Sequence, residues 1–85
     1  MISVKFFASL REDVGHDHLA LAVSSLAELR DALADQLSSN AQKALWADGV
    51  RLAINQQLVP FDWRTDSEDL GPGAEIAFLP PVTGG

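Results

Sequence analysis

The last six residues, Pro80-Pro81-Val82-Thr83-Gly84-Gly85, are where this sequence offers chemistry. Two prolines in a row favour an extended, polyproline-like course and stiffen the chain. Gly84 and Gly85 carry no side chain and reach backbone angles closed to other residues. Such an end can thread a narrow channel and present a carboxylate inside another protein's active site; six extended residues reach roughly 20 Å. A free carboxylate is a poor acyl donor, so it needs activation, for example by adenylation. An activated carboxyl group is open to attack by a sulfur donor or by an amine. Gly85 is therefore the candidate reactive residue, and Pro80, Pro81, Val82, Thr83 and Gly84 are the segment that threads it.

Other chemistry has little to stand on. Without cysteine there is no disulfide, thiolate nucleophile or Cys-based zinc site. His16 and His18 lie beside Asp13 and Asp17, but a His-x-His pair in a short turn reads as polar turn residues, and no metal site is expected. Asp66, Glu68 and Asp69 lack the ordered ligand spacing of a calcium loop. Gly71-Pro72-Gly73 has neither the lysine nor the following helix of a phosphate loop. Two clustered histidines do not supply a Ser-His-Asp arrangement. The net charge is -6, and the six basic residues, Lys5, Arg11, Arg30, Lys43, Arg51 and Arg64, are scattered. A nucleic-acid partner is therefore not expected, and Trp46 and Trp63 read as packing residues. No apolar run approaches the roughly 20 residues of a membrane span. Met1 leads straight into a strand-like run with no charged leader. A cytoplasmic protein is the expectation, monomeric when free.

The elements that must position the tail follow from periodicity. With 85 residues there is room for one small domain. Ile2 to Leu10 reads as a strand with Ile2, Val4 and Phe6 on one face. Arg11 to Asp17 reads as a polar turn, and Leu19, Leu21 and Val23 mark a second strand. Ser25-Leu26-Ala27-Glu28 is a capping box, in which the Ser hydroxyl accepts from the third helical amide and the Glu reaches back to the cap amide. Leu26, Leu29, Leu33 and Leu37 then form an apolar stripe at helical spacing. Ser38-Ser39-Asn40 ends the helix, and Ala41 to Trp46 adds one further helical turn. Val50 to Ile54 is a third strand, and Leu58-Val59 a short fourth that Pro60 confines to an edge. Phe61 to Gly73 is an acidic loop, and Glu75 to Leu79 is the last strand. One amphipathic helix covers one face of such a sheet, so the expected class is α+β: a mixed sheet of about five strands on one main helix. The expected division is a domain over 1–79 and a flexible tail over 80–85.

One residue breaks the pattern. Phe7 shares a strand face with Ser3 and Lys5, and Leu79 shares one with Glu75 and Ala77. If the helix covers Val4, Phe6, Ile76 and Phe78, then Phe7 and Leu79 lie on the open face, and Leu58 at the edge joins them. Exposed apolar clusters mark partner surfaces. The competing reading makes Phe7 and Leu58 part of a second small core beneath the acidic loop.

The segments Val4-Lys5-Phe6-Phe7-Ala8, Leu10-Arg11-Glu12, Ala53-Ile54-Asn55-Gln56 and Glu75 through Gly85, above all Phe-Leu-Pro-Pro-Val-Thr-Gly-Gly, carry a resemblance. The chain resembles the sulfur-carrier small subunits of molybdopterin synthase, within the β-grasp, ubiquitin-like superfamily. The resemblance spans essentially the whole chain. It implies an acyl-adenylate formed with ATP on Gly85 by an adenylyltransferase resembling ubiquitin-activating enzymes. A sulfur-transfer protein then leaves a thiocarboxylate. A large catalytic subunit takes up that sulfur to convert cyclic pyranopterin monophosphate into molybdopterin, within a heterotetramer. The carrier itself holds no cofactor, and the resemblance places its partner patch at Phe7, Leu58 and Leu79. The stretch Asp62 to Gly73 is longer and more acidic than the family's usual turn. Three alternatives stay open: a carrier for another pathway, a protein modifier joined to lysines through Gly85, and an interaction domain with an inert tail.

Overall fold

The structure, a computed structural model, describes residues 1–81. The order of elements is β1 (Ile2–Phe6), α1 (Ser9–Val14), β2 (His18–Leu21), α2 (Leu26–Gln36), α3 (Ser39–Leu45), β3 (Arg51–Ile54), β4 (Gln57–Leu58) and β5 (Glu75–Leu79). The strands form one mixed sheet in the order β2-β1-β5-β3-β4. β1 and β5 run parallel at its centre, and the other pairings are antiparallel. This is the β-grasp arrangement: the first and last strands lie side by side, and α2 packs across one face.

The alternation in β1 and β5 sorts the two faces. Ile2, Val4, Phe6, Ile76 and Phe78 are buried with Leu52 in a single core with Leu26, Leu29 and Leu33 of α2. Those three leucines are fully buried, each contributing roughly 2 kcal/mol gross by removal from water. A helix cap contributes about 1 kcal/mol, so packing rather than capping holds α2 in place. The Phe6 and Phe78 rings stack at 5.6 Å, and Trp63 meets Phe78 edge-on at 4.8 Å.

The start of α2 differs in one detail from the expected capping box. The Ser25 hydroxyl accepts from Glu28 N at 3.2 Å as expected. The Glu28 carboxylate, however, accepts from Ser24, from its backbone N–H at 2.7 Å and its hydroxyl at 3.0 Å, not from the cap amide. Ser38 is not merely the end of a helix: its hydroxyl accepts from Ala41 N at 3.1 Å and caps α3.

The stretch expected to be the end of a strand and a polar turn is partly helical. β1 stops at Phe6, Ala8 turns the chain at φ 52°, and α1 runs from Ser9 to Val14. Leu10 and Val14, four residues apart, bury one face of this helix. Gly15 ends it at φ 84° and donates its N–H to Arg11 O at 3.1 Å.

The acidic loop after β4 is anchored to the core and to α2. Trp63 and Leu70 are buried, and the Arg30 guanidinium donates to the carbonyls of Trp63, at 2.8 Å, and Asp66. Leu26 N donates to Glu68 O at 2.9 Å, and Leu70 N to Ser24 O at 2.8 Å. The loop thus forms a second clasp over the start of α2.

Candidate functional site

The tail leaves from the middle of the sheet. β5 ends at Leu79 between β1 and β3, with Leu79 paired to Arg51. The expected reactive Gly85, and Val82, Thr83 and Gly84 of the threading segment, lie outside the described residues. Of that segment, Pro80 and Pro81 are described. Pro80 is half-buried and Pro81 exposed.

The strand registers lay out the face opposite the helices. Across one row lie Leu58, Ala53, Ala77, Lys5 and His18, each pairing with the next. The row nearest the tail holds Arg51 and Leu79, and continuing the parallel register of β1 and β5 one step brings Phe7 alongside Leu79. The Phe7 N–H donates to Phe78 O at 3.1 Å, which fixes its backbone there. Phe7 is 45% exposed and Leu58 53%. They therefore do not fill a second core beneath the loop. Phe7 and Leu79 flank the root of the tail. Leu58 stands two strands from Leu79, joined to it across Ala53 and Ala77.

Sequence reasoning put Lys5 and Ala77 on this face but did not bring Ala53 and Arg51 to it. Ala53 is buried and Ala77 half-buried, so small side chains make a shallow floor between the larger ones. Lys5 and Arg51 are exposed on the same face and form no ion pair with any described residue. Together with the exposed Glu75 they set charges of both signs around an apolar centre. The signal was available, because Lys5 and Arg51 occupy the outward phase of their strands. Placing them in adjacent rows, however, required the β3–β5 register.

The edge of the site is built by the hairpin of β3 and β4. Asn55 and Gln56 form a two-residue loop with φ of 50° and 71°, the backbone signs of a type I′ turn. Asn55 also grips the start of β5: its N–H donates to Glu75 O at 2.8 Å, and its side-chain oxygen accepts from Glu75 N at 2.9 Å. This holds Leu58 at a fixed place relative to Leu79.

A cation clamp stands beside the tail root. Arg64 donates to Asp62 at 3.0 Å, to Asp48 at 2.9 Å and to the carbonyl of Trp46 at 3.0 Å. The hydrogen bonds to Asp62 and then Asp48 raise the Arg64 pKa further above its already high value. The Arg64 side chain, and then its backbone N–H, lower that of Asp62. Trp63 Nε1 donates to Val50 O at 3.3 Å, and Trp46 packs against Trp63 at 5.1 Å. The loop from Trp46 to Val50 is thereby tied to the loop that carries Arg64. Gly49 lies in the middle of it, and a Cβ built there would come within 3.0 Å of Pro81 Cβ.

His16 lies in the turn after α1, and His18 opens β2. Among the described residues no three His, Asp or Glu side chains gather as metal ligands. No described helix is long and apolar enough to cross a membrane.

The arrangement is a platform whose apolar open face adjoins the end of β5, from which Pro80 and Pro81 follow. The titratable side chains on that face, Lys5, His18, Glu75 and Arg51, are spread along its strands rather than gathered at the tail root. Chemistry at the tail would rely on groups brought by another protein. Comparison with known proteins agrees with this picture. The model of the ThiS family matches residues 4–85. The molybdopterin synthase sulfur carrier subunit of Escherichia coli (strain K12) is 44% identical over 92 residues, with all of both chains covered. Among solved structures, one chain of a protein–protein complex of subunits 1 and 2 of molybdopterin-converting factor from Helicobacter pylori 26695 superposes with a TM-score of 0.69. It is 26% identical, with 99% of this chain and 97% of that one covered. The small archaeal modifier protein 1 of Methanosarcina acetivorans shares the fold, with a TM-score of 0.74 at 23% identity and coverage of 99% and 95%.

Proposed function

This chain belongs to the ThiS family, and we propose that it is the sulfur-carrying subunit of a molybdopterin synthase, working through its last residue, Gly85. The observation that carries this reading is the end-to-end 44% identity to a protein named for that role. The site adds a physical reason. A carrier must lend its carboxylate to at least two different partners, and a stiff platform with an exposed docking face and a side-chain-free end meets that need.

In the first step a Gly85 carboxylate oxygen attacks the α-phosphate of ATP in an adenylyltransferase. Pyrophosphate leaves and a mixed anhydride forms. A sulfide equivalent from a sulfur-transfer protein then attacks the carbonyl carbon and expels AMP, so one oxygen of the carboxylate is replaced by sulfur. In the large catalytic subunit that sulfur passes to a cyclic pyranopterin, and water restores the carboxylate. Side chains of the partners would supply proton transfer and transition-state stabilisation. This chain contributes the reacting terminus, and Phe7, Leu58 and Leu79 hold it against each partner. Two sulfurs enter each product, so two charged carriers serve each turnover, consistent with a heterotetramer. Lys5 and Arg51 suit an interface whose partner surface is acidic at its rim.

Intact mass with fragmentation tests the reading. After incubation with the activating enzyme, ATP and a sulfur donor, the expected gain is one sulfur in place of one oxygen, localised to Gly85. An unmodified Gly85 overturns the carrier reading. Chains found joined to lysines of other proteins would point to a modifier instead.

A further inference from the structure

We propose that Gly49 is a positioning residue for the tail: it seats Pro81 and so fixes the point and direction from which the last four residues set out. The inference rests on the carrier reading for its functional consequence, and on geometry for the seat itself.

The β3–β5 ladder pairs Arg51 with Leu79. Continuing that register outward by two residues places Pro81 across from Gly49. Hydrogen bonding cannot carry the ladder there, because Pro80 and Pro81 have no N–H to donate. Contact takes its place. A Cβ at position 49 would lie 3.0 Å from Pro81 Cβ, 3.3 Å from its Cγ and 3.8 Å from its Cα. The proline ring therefore rests where any other residue would put its side chain. Gly49 also has φ 88°, a left-handed conformation that side chains resist. Two independent requirements, backbone angle and close approach, thus select glycine at one position.

The seat does not drift, because the loop that bears it is tied on both sides. Arg64 holds Trp46 O and Asp48, and Trp63 Nε1 holds Val50 O. Both Gly49 and Pro81 are exposed, so the contact biases the chain rather than burying it. Biasing is sufficient here. A chain whose exit is already set at Pro81 loses less conformational freedom on entering a channel, and preorganisation of this kind improves binding rather than the chemical step.

The test measures steady-state thiocarboxylate formation with the activating enzyme, ATP and a sulfur donor, varying the carrier. Gly49→Ala should raise KM for the carrier about threefold to tenfold with kcat unchanged. Pro81→Gly removes the ring without disturbing the loop and should raise KM by a similar factor. The double variant should be no worse than either single one, because both remove the same contact. Gly15→Ala serves as the control: its φ is 84°, but a Cβ there meets nothing within 4 Å, so it bears comparable backbone strain with KM unchanged. A general folding defect would instead lower kcat per mole of protein and would affect Gly15→Ala as well. Nuclear Overhauser contacts between Gly49 Hα and the Pro81 ring read the seat directly in the wild-type chain. Their absence overturns the inference whatever the activity. Their presence with unchanged KM in Gly49→Ala and Pro81→Gly overturns it too. A seated wild-type chain that never acquires sulfur sinks the carrier reading, and the functional inference with it.

Discussion

The backbone N–H of Phe7 donates to the carbonyl oxygen of Phe78 at 3.1 Å, carrying the parallel β1–β5 contact one step past Phe6. Phe6 and Phe78 point into the core, where their rings stack at 5.6 Å. Phe7, the next residue, is held on the opposite side at 45% exposure. One hydrogen bond therefore joins the most buried part of the sheet to the most exposed aromatic residue beside the tail. The open face and the core share a backbone but not side chains, so they can be altered separately.

Phe7→Ala should weaken binding of the large subunit by about 2 kcal/mol, as for a well-placed aromatic anchor, with the unfolding midpoint nearly unchanged. Leu79→Arg should do at least as much by adding charge to the apolar centre. Titration calorimetry against the large subunit checks both. Unchanged affinity would remove this face from the interface.

Deleting Gly85 should abolish thiocarboxylate formation and leave thermal unfolding as it was. Among the described residues, the buried core extends no further along the chain than Phe78. Mass spectrometry and a melting curve on the same sample check the two halves of the statement.

Phe78→Ala should destabilise the domain by about 3–5 kcal/mol through loss of buried area and the cavity left against Phe6 and Trp63. A domain of this size has a total stability of the same order, roughly 4–13 kcal/mol. The variant should therefore be partly or wholly unfolded at ordinary temperature, as urea titration with tryptophan fluorescence would show.

The hydrogen bond from Arg64 lowers the pKa of Asp62 below its ordinary value of 3.8. Folding thus favours the charged carboxylate. Its stabilisation is complete above the ordinary carboxylate range and is lost as pH falls through the depressed value. Asp62→Asn should accordingly be less stable than wild type at neutral pH, and the two should converge in strong acid. Melting temperatures measured from neutral pH down to about pH 2 would reveal it. A constant difference across that range would mean the ion pair is not responsible.

Much of the fold was legible because it is locally encoded. The alternation of Ile2, Val4 and Phe6, the Ser25 cap with the leucine stripe behind it, and the run from Glu75 to Leu79 each state their element within a few residues. The helix from Ser9 to Val14 was not legible. Leu10, Val14 and Gly15 are its cue, but a six-residue helix has little intrinsic stability in isolation. It exists because the core accepts Leu10 and Val14. The anchoring of the acidic loop was not legible for a similar reason. Its charges are local, whereas its anchors, Trp63, Leu70 and the Arg30 guanidinium, reach residues distant in sequence.

By itself the sequence determined the chemistry on offer and the parts that carry it. A Gly-Gly sequence behind two prolines, with no cysteine, basic stripe or metal-ligand spacing in the 85 residues, makes the carboxyl-terminal segment the candidate place for reaction, and residue types alone single it out. The sequence also placed Phe7 and Leu79 out of phase with the core, because strand periodicity is a property of neighbours. Only the tertiary structure decided which outward residues stand together. Register brings Leu58, Ala53, Ala77 and Leu79 onto one face, ranges Lys5 and Arg51 around them, and sets Gly49 beneath Pro81. Those relations depend on which strand lies beside which and at what offset. That choice is made by burial of the whole sheet against α2, not by any single stretch of chain.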